Sequence, residues 1–232
     1  MITLKNVGYG IEGEQILRGI SLSFKEGSFT VVLGANGSGK TTLLKHLNAL
    51  YLPETGAVDV DGLETRKNAL KVRENVGYVF QNPEDQLVYS TVEEDVAFGL
   101  ENKGVPTQKM KTQVVNMLGV IGISHLAKRN VNTLSFGQKQ LAALAGVLVM
   151  EPRYLILDEP TATLDPRNKK IIITLIKRLC KERGIGIILS SNILEDSRLG
   201  ERAIVLKKGS VIFDGKPSQM SKTVVKKAGL YA

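Results

Sequence analysis

Residues 34–41 read GANGSGKT, and this short stretch has the most specific chemical meaning in the sequence. It fits the pattern G-x-x-x-x-G-K-[ST], in which glycines let backbone N–H groups surround phosphate oxygens without a Cβ in the way. A helix is expected to follow, with its positive end directed at the same anion. Lys40 is expected to pair with the β- and γ-phosphates of a nucleotide, and the Thr41 hydroxyl to hold Mg²⁺. The residues expected to contact the nucleotide form one run: Gly34, Ala35, Asn36, Gly37, Ser38, Gly39, Lys40, Thr41 and Thr42.

Two adjacent acids, Asp158 and Glu159, follow the apolar run YLIL and supply a second part of the same chemistry. A carboxylate at the end of a buried strand can hold Mg²⁺ directly or through water, and this is the role expected of Asp158. Glu159 turns to the other side and can polarise a water for attack on the γ-phosphate. Two acids can also be only the polar end of a strand, but beside a phosphate loop the catalytic interpretation is favoured.

The elements that must position these residues are visible as hydrophobic patterns. Strand-like alternation fills the first thirty residues, and the apolar runs SFTVVL, YLIL and IGIIL each end at polar or glycine-rich segments. Apolar runs that alternate with helical patterns predict a parallel sheet covered on both faces. Residues 91–149 are mostly helical in pattern and interrupt this order, which indicates an inserted helical subdomain. A hairpin is expected at RAIVLKKGSVIFDG, with its turn at Lys208 and Gly209.

Composition restricts the classes of function. With 232 residues, 43% of them hydrophobic and 23% charged, the chain has an ordinary globular composition. Its longest apolar run, LAALAGVLVM, falls well short of the roughly 18 residues that cross a bilayer, and MITLKNVGYG has no signal-peptide character. The single cysteine, Cys180, excludes an internal disulfide, and no Cys/His cluster indicates zinc. The sequence therefore predicts a cytoplasmic protein, whose net charge of +8 fits a solvated surface or attraction to anionic lipid or nucleic acid.

A third motif, LSFGQKQ at residues 134–140, resembles the LSGGQ signature of ATP-binding cassette (ABC) ATPases. Taken alone, Ser135 and Gln138 would be only a capping box at the start of a helix. The motif precedes the Asp158 strand, as it does in that family, and TLDP at residues 163–166 is similar to the family's D-loop. On these motifs essentially the whole chain resembles an ABC ATPase, whose ligands are ATP and Mg²⁺.

The resemblance implies a fold as well as a chemistry. The expected fold is α/β: a P-loop NTPase ABC cassette with a mixed sheet core, an N-terminal antiparallel β-subdomain and an inserted α-helical subdomain. Its parts in the single domain 1–232 are a core (residues 1–90 and 150–215), a helical subdomain (residues 91–149) and a short basic tail (residues 216–232).

Two single residues complete the nucleotide site that the resemblance implies. Tyr9 matches the aromatic residue that stacks on adenine, although a packing role is the alternative. Gln81 follows the strand VGYVF and matches the Q-loop glutamine, with a part in catalysis and in holding the metal.

The family's mechanism gives the remaining motifs a role. Two ABC cassettes pair head to tail, and each ATP lies between the phosphate loop of one and the signature of the other. The resemblance implies that Ser135, Gly137 and Gln138 meet the ATP held by the partner. It also implies that Asp165 of the D-loop lies at the dimer contact. Phe136 stands where the family has glycine, but binding is still expected because the serine and the second glycine remain.

The segment QNPEDQL, residues 81–87, is similar to the segment after the Q-loop in energy-coupling factor (ECF) importers and related cobalt and nickel systems. Such importers take up vitamins or metal ions with two cassettes, a transmembrane coupling subunit and a substrate-binding membrane subunit. The implied function is the ATP-hydrolysing subunit of such an importer, at the cytoplasmic face of the membrane, with no nucleic acid as partner. Glu84 and Asp85 can alternatively form a solvated turn, and the 17 residues after Gly215 leave open whether the tail helps two cassettes to pair.

Two other functions stay open on the sequence. A soluble cassette acting on nucleic acid or in cofactor assembly agrees with the basic charge, but only 52 residues lie between Gln81 and Leu134, too few for a long coiled coil. The other is a weakly hydrolysing regulatory cassette.

The regulatory alternative depends on Asn192, which stands in IILSSNILED where the family has a histidine that contacts the γ-phosphate. The two histidines of the chain, His46 and His125, lie elsewhere in the sequence. Asn192 and Glu195 can also form a capping box at the start of a helix, and the two roles are compatible. We expect Asn192 to lie near the γ-phosphate, to support only slow hydrolysis, and thus to require a non-identical partner cassette.

Overall fold

The computed structural model describes residues 1–230. Its N-terminal part is a four-stranded antiparallel sheet in the order β2-β1-β4-β5. The alternating sequence of the first thirty residues forms its two long strands, which are joined by a turn with positive φ at Glu12 and Gly13. The strands are β1 (Ile2–Ile11), β2 (Glu14–Phe24), β4 (Thr55–Val60) and β5 (Leu63–Glu64).

A six-stranded mixed sheet forms the centre of the protein, in the order β10-β9-β3-β8-β7-β6. All neighbouring pairs are parallel except the pair of β9 and β10, which is the expected hairpin with positive φ at Lys208 and Gly209. The strands are β3 (Phe29–Leu33), β6 (Val76–Val79), β7 (Tyr154–Leu157), β8 (Gly186–Ser191), β9 (Arg202–Lys207) and β10 (Ser210–Gly215). Every residue of β3, β7 and β8 is buried, because helices or the second sheet cover both faces of this sheet.

The helices lie around this sheet. They are α1 (Lys40–Leu47), α2 (Thr65–Asn75), α3 (Val92–Asn102), α4 (Thr107–Ile121), α5 (Phe136–Leu148), α6 (Pro166–Arg183) and α7 (Lys222–Ala228). Residues 91–149 contain α3, α4 and α5, and the fold is the predicted mixed α/β cassette, although the exact limits of the subdomains stay a prediction. Within residues 1–230, no helix combines the length and apolar character that a membrane span requires.

Alternation within the central strands divides the core into two layers. Val31 of β3 and Leu189 of β8 face the helices α3 to α6, whereas Val32 and Ile188 face the N-terminal sheet and α1. The tail is more than a polar extension, because Ala228 and Leu230 are each only 4% exposed. Both belong to the core layer that contains the helices α3 to α6.

The parallel strands bring the predicted chemistry together. Leu33, the last residue of β3, pairs with Ser191 of β8, and Leu157, the last residue of β7, pairs with Leu189 of the same strand. The segments that follow β3, β7 and β8 therefore leave the sheet at one edge, where open α/β sheets place their ligands. These segments carry the phosphate loop, the two acids and Asn192.

Candidate active site

The phosphate loop has the geometry of an anion cradle. Gly39 has φ 102°, which favours glycine, and a Cβ built on Gly34 would lie only 2.4 Å from Ser38 Oγ and 2.7 Å from the Leu206 carbonyl oxygen. No side chain caps α1 at Gly39, so the first N–H groups of this helix stay available. The Ser38 hydroxyl is buried and has no hydrogen-bond partner among residues 1–230. Free backbone donors at a helix N-terminus, next to an unpaired buried hydroxyl, fit a phosphate group.

Lys40 is held over this loop by three oxygens. Its side chain is only 5% exposed, and Nζ donates to the carbonyl oxygens of Gly34 at 2.8 Å and Ala35 at 3.2 Å. The same Nζ lies 3.1 Å from Oε1 of Glu159. The cation expected to bind phosphate and the acid expected to activate water thus form an ion pair with each other.

Ser190 on β8 connects the two adjacent acids. Its Oγ donates to Oδ1 of the buried Asp158 at 2.7 Å and accepts the backbone N–H of Glu159 at 2.9 Å. Tyr78 on β6 donates its hydroxyl to the other carboxylate oxygen of Asp158 at 2.9 Å. Burial and the nearby Asp158 charge raise the pKa of Tyr78 far above its usual value, so it remains a neutral donor at all physiological pH values. Three neighbouring strands therefore fix the position of the acids.

Gln81 and Glu159 both line an open cleft of about 390 Å³, and Gln81 Nε2 donates to Glu159 Oε2 at 3.4 Å. The residues that line the cleft are Ile16, Asn36, Gly37, Gly39, Lys40, Thr41, Thr42, Gln81 and Glu159. Ile16 on β2 was not predicted, because an isoleucine in an alternating strand has no chemical signature. The cleft brings the phosphate loop, Gln81 and Glu159 together in a single space.

A magnesium ion fits this cleft when phosphate and water oxygens complete its coordination. Residues 1–230 contain no group of three or more His, Cys, Asp and Glu side chains that could hold a metal ion alone. Mg²⁺ usually keeps several waters and binds through one or two protein groups plus substrate phosphates, which agrees with this donor set. Thr41 and Gln81 line the cleft and are oxygen donors that would hold it, whereas Asp158, the third expected donor, is buried beside the cleft and does not line it.

Tyr9 lies in an aromatic cluster and does not line the described cleft. Its ring stacks on Tyr51 with centroids 5.3 Å apart, and it meets the ring of His46 edge-on at 4.7 Å. Burial lowers the pKa of His46, so this imidazole is neutral at physiological pH. The geometry shows the packing role of Tyr9, and its stacking on adenine stays a prediction.

Asn192 does not cap a helix, and this expectation from the sequence was wrong. A 3₁₀ helix spans Leu194–Leu199, and its N-cap position is taken by Ile193, without a side-chain cap. Ser191 makes the side-chain hydrogen bonds at the start of this helix instead. Its Oγ accepts the N–H of Ile193 at 3.0 Å and donates to Asp196 Oδ2 at 2.7 Å. The amide of Asn192 lies beside the phosphate loop, with Nδ2 3.4 Å from Asn36 Oδ1.

The signature begins α5 with the capping box that its sequence predicts. Ser135 Oγ accepts the N–H of Gln138 at 3.4 Å, and Gln138 Oε1 accepts the N–H of Ser135 at 3.0 Å. Capping uses a lone pair of the serine oxygen, so its O–H remains able to donate to another group. The N–H groups of Phe136 and Gly137 at this helix start are not used by the cap, and Gly137 is buried. Asp165 caps the next long helix, α6.

Replacement of Ser190 with alanine is expected to lower both stability and turnover. The change removes the donor to buried Asp158, and an unpaired buried acceptor costs about 1–3 kcal/mol. ATP turnover at this chain's own site should fall severalfold because the N–H of Glu159 also loses its partner. Ser191→Ala is the matched control, since this serine lies next in β8 but bonds to Asp196. Denaturant unfolding and steady-state ATPase assays test this, and equal effects on turnover in the two variants would contradict it.

Comparison with known proteins agrees with this geometry. The family model described as "ABC transporter" matches residues 17–162. The energy-coupling factor transporter ATP-binding protein EcfA1 of Symbiobacterium thermophilum is 43% identical over 206 residues, which cover 88% of this chain and 72% of that protein. The cobalt import ATP-binding protein CbiO of Syntrophus aciditrophicus is 41% identical over 221 residues, covering 94% and 79%.

Solved structures give the same result. The structure of CbiO1 from Clostridium perfringens, described as part of the ABC transporter complex CbiONQ, has a TM-score of 0.87 and 38% identity, covering 99% of this chain and 94% of that one. A dimeric ATP-binding cassette in a post-hydrolysis state bound to ADP and Pi has a TM-score of 0.84 and 30% identity, covering 94% and 99%. The chain is therefore an ATPase of the ATP-binding cassette transporter family.

Proposed function

We propose that this chain is the ATP-hydrolysing subunit of an ECF-type importer for a vitamin or a transition-metal ion, and that it works in a head-to-tail cassette dimer. The observation that carries the proposal is the meeting of Lys40, Asp158 and Glu159 at one sheet edge, while the signature lies apart from the described cleft. The phosphate loop and the signature helix start of one chain lie in different places. A second cassette is therefore needed to bring a signature to the ATP on this phosphate loop. The relatives named for energy coupling and for cobalt import support the transport class.

The residues of this chain divide the chemistry of ATP hydrolysis among them. Lys40 and the N–H groups of the phosphate loop bind and orient the phosphates. Glu159 accepts a proton from the attacking water, and Gln81 helps to place that water. Mg²⁺, when held by Thr41, Gln81 and Asp158, supplies positive charge that offsets the charge developing on the phosphate oxygens.

The completed site contains groups from two cassettes. The O–H of Ser135, the N–H of Gly137 and the amide of Gln138 bind the ATP held by the partner cassette. Ser135 can cap its helix and donate to the γ-phosphate at the same time, because the two bonds use different parts of its hydroxyl. Asp165 lies at the contact between the two cassettes.

An exposed apolar patch (Val88, Tyr89 and Phe98) provides the surface for a transmembrane subunit. Val88 is 65% exposed, Phe98 is 40% exposed, and the rings of Tyr89 and Phe98 lie 5.4 Å apart. Asp95 fixes the loop that carries the patch, because its Oδ1 accepts the N–H groups of Val88 at 2.7 Å and Tyr89 at 3.1 Å. Apolar side chains that the fold holds outward favour a protein partner.

The patch follows the QNPEDQL segment, whose acids have different surroundings. Glu84 forms an ion pair with Lys139 on the signature helix α5, whereas Asp85 is exposed and bonds only to Asn82 within its own turn. A charge change at Glu84 therefore breaks a contact inside the chain. Asp85 and Phe98 are the residues that test docking on a membrane subunit.

Replacement of Phe98 with glutamate is expected to release the cassette from its membrane partners. A carboxylate in the patch cannot be buried against an apolar surface without a large desolvation cost. The measurement is co-purification of this chain with coupling and substrate-binding membrane subunits from detergent-solubilised membranes. Recovery of those subunits should fall severalfold while ATP binding by the chain stays unchanged.

Leu70→Glu is the matched control, because Leu70 is 76% exposed on α2, away from the patch. It should retain the membrane subunits. Full recovery of the subunits with Phe98→Glu would refute this docking surface. Co-purification of nucleic acid, or of no membrane protein even with the unchanged chain, would overturn the transport function.

A further inference from the structure

Asn168, in the first turn of α6, joins two motifs that come from different parts of the chain. Its side-chain Nδ2 donates to Asp165 Oδ2 at 2.6 Å. On its other side it packs on the signature: a Cβ built on Gly137 would lie 2.9 Å from the amide carbon of Asn168. The same Cβ would lie 3.1 and 3.2 Å from the amide nitrogen and oxygen. One half-buried amide thus lies between the D-loop and the signature.

The orientation of this amide is fixed by chemistry. An ionised carboxylate only accepts hydrogen bonds, so the nitrogen of Asn168 must face Asp165. Asp165 is itself held, because its Oδ1 accepts the backbone N–H groups of Arg167 at 2.9 Å and Asn168 at 3.0 Å. The backbone N–H of Asn168 contributes most, and its side-chain amide next, to keeping the pKa of Asp165 below its usual value. The neighbouring Lys169 forms its ion pair with Asp196 at 2.7 Å and not with Asp165.

The contact gives Gly137 a structural requirement inside its own chain. Any Cβ at this position would push the Asn168 amide away, since real Cβ contacts below 3.0 Å essentially never occur. Glycine therefore lets the start of α5, which belongs to the helical block, approach the start of α6 closely. The two motifs that face the partner cassette meet at this one side chain.

We propose that Asn168 is a positioning residue for the ATP site of the partner cassette: its amide holds Asp165 and the signature glycine of this chain at a fixed spacing, so that the cassette contact at Asp165 and the signature that binds the partner's ATP move as one unit. This inference rests on the proposed head-to-tail dimer. Asn168 touches no nucleotide in this role and acts through the two motifs beside it.

Asn168→Asp tests the proposal, because it keeps the shape of the side chain and replaces the donor with a second carboxylate facing Asp165. Turnover of the assembled complex should fall roughly tenfold near pH 8, the size expected for one lost bond to a charged group. Two facing carboxylates raise the pKa of one of them, and the protonated form can donate again. The ratio of variant to unchanged turnover should therefore rise as the pH is lowered towards about 6. Asn168→Ala should lower turnover at every pH, without this recovery.

Asn132→Asp is the matched control, since Asn132 is exposed three residues before Ser135 and the variant adds the same charge at a position that is not next to Asp165 in the sequence. The ATP affinity of the chain alone should be unchanged in all three variants, because the chain's own cleft is not altered. A variant ratio that is the same at every pH would overturn the positioning role of Asn168. A lack of ATP-dependent dimer in the unchanged protein would instead refute the proposed function on which it rests.

Discussion

Replacing Glu159 with glutamine is expected to leave much of the ATP turnover of the assembled complex intact, whereas the matching change in the partner cassette should stop most of it. The reason is that the two ATP sites of the proposed dimer are unequal. One site is built on Lys40, Glu159 and Asn192 of this chain. The other site uses the phosphate loop of the partner together with Ser135 and Gly137 of this chain.

Asn192 is the residue that we expect to make the first site slow. Its amide is close to the phosphate loop, 3.4 Å from Asn36 Oδ1, and can donate one hydrogen bond towards a γ-phosphate. It is shorter than histidine and cannot become cationic. Loss of one well-placed donor to developing charge costs about 3–4 kcal/mol, or roughly 10²–10³ in rate, and asparagine recovers part of this. The site of this chain should therefore bind ATP well and hydrolyse it slowly.

Steady-state ATPase assays of the complex, with the glutamine change in either cassette, measure this asymmetry directly. Asn192→His in this chain is the informative companion variant, and it should raise the turnover of the slow site. Two results contradict the asymmetry: Glu159→Gln alone silences the complex, or this chain alone hydrolyses ATP rapidly as a homodimer.

Replacing Lys40 with alanine is expected to weaken ATP binding at least tenfold. A hydrogen bond to a charged group contributes roughly 1.5–3 kcal/mol, which corresponds to about a tenfold to hundredfold change in affinity. The structure adds a second cause, because Lys40 also neutralises Glu159, whose side chain is only 11% exposed. Without the lysine, that carboxylate would repel an incoming phosphate.

Titration of the isolated chain with ATP measures this affinity. Lys71→Ala is the matched control, since Lys71 is an exposed lysine on α2 and its loss changes the net charge by the same amount. Its affinity should remain close to that of the unchanged chain. Equal affinities for Lys40→Ala and the unchanged chain would remove the basis for assigning phosphate binding to this loop.

The parts of the site that depend on local sequence were predictable. The phosphate loop needs glycines at fixed positions between a strand and a helix, and the capping box of Ser135 and Gln138 involves residues three apart. The hairpin turn at Lys208 and Gly209 follows the same logic, because its residues must adopt positive φ. Each of these features is specified within a few neighbouring residues.

Features that depend on distant parts of the chain were not predictable. Ser190 and Tyr78 support Asp158 from two other strands, and neither position differs in sequence from an ordinary buried polar residue. Helix α2 was not predicted because only Thr65 and Val72 of its residues are buried, which is too few for a periodic pattern. The capping box expected for Asn192 is absent because the 3₁₀ helix begins at Leu194 with Ile193 at its N-cap position, and Ser191 accepts the N–H of Ile193.

The ion pair between Lys40 and Glu159 links the arrival of substrate to the activation of water. A γ-phosphate that binds Lys40 must compete with a carboxylate 3.1 Å from the same ammonium group. The affinity for ATP is therefore expected to be a net value, reduced by the free energy needed to separate this pair. We expect a phosphate that replaces Glu159 on the lysine to leave this carboxylate available to accept a proton. In the proposed mechanism, binding of the substrate therefore prepares the residue that is expected to act as the base.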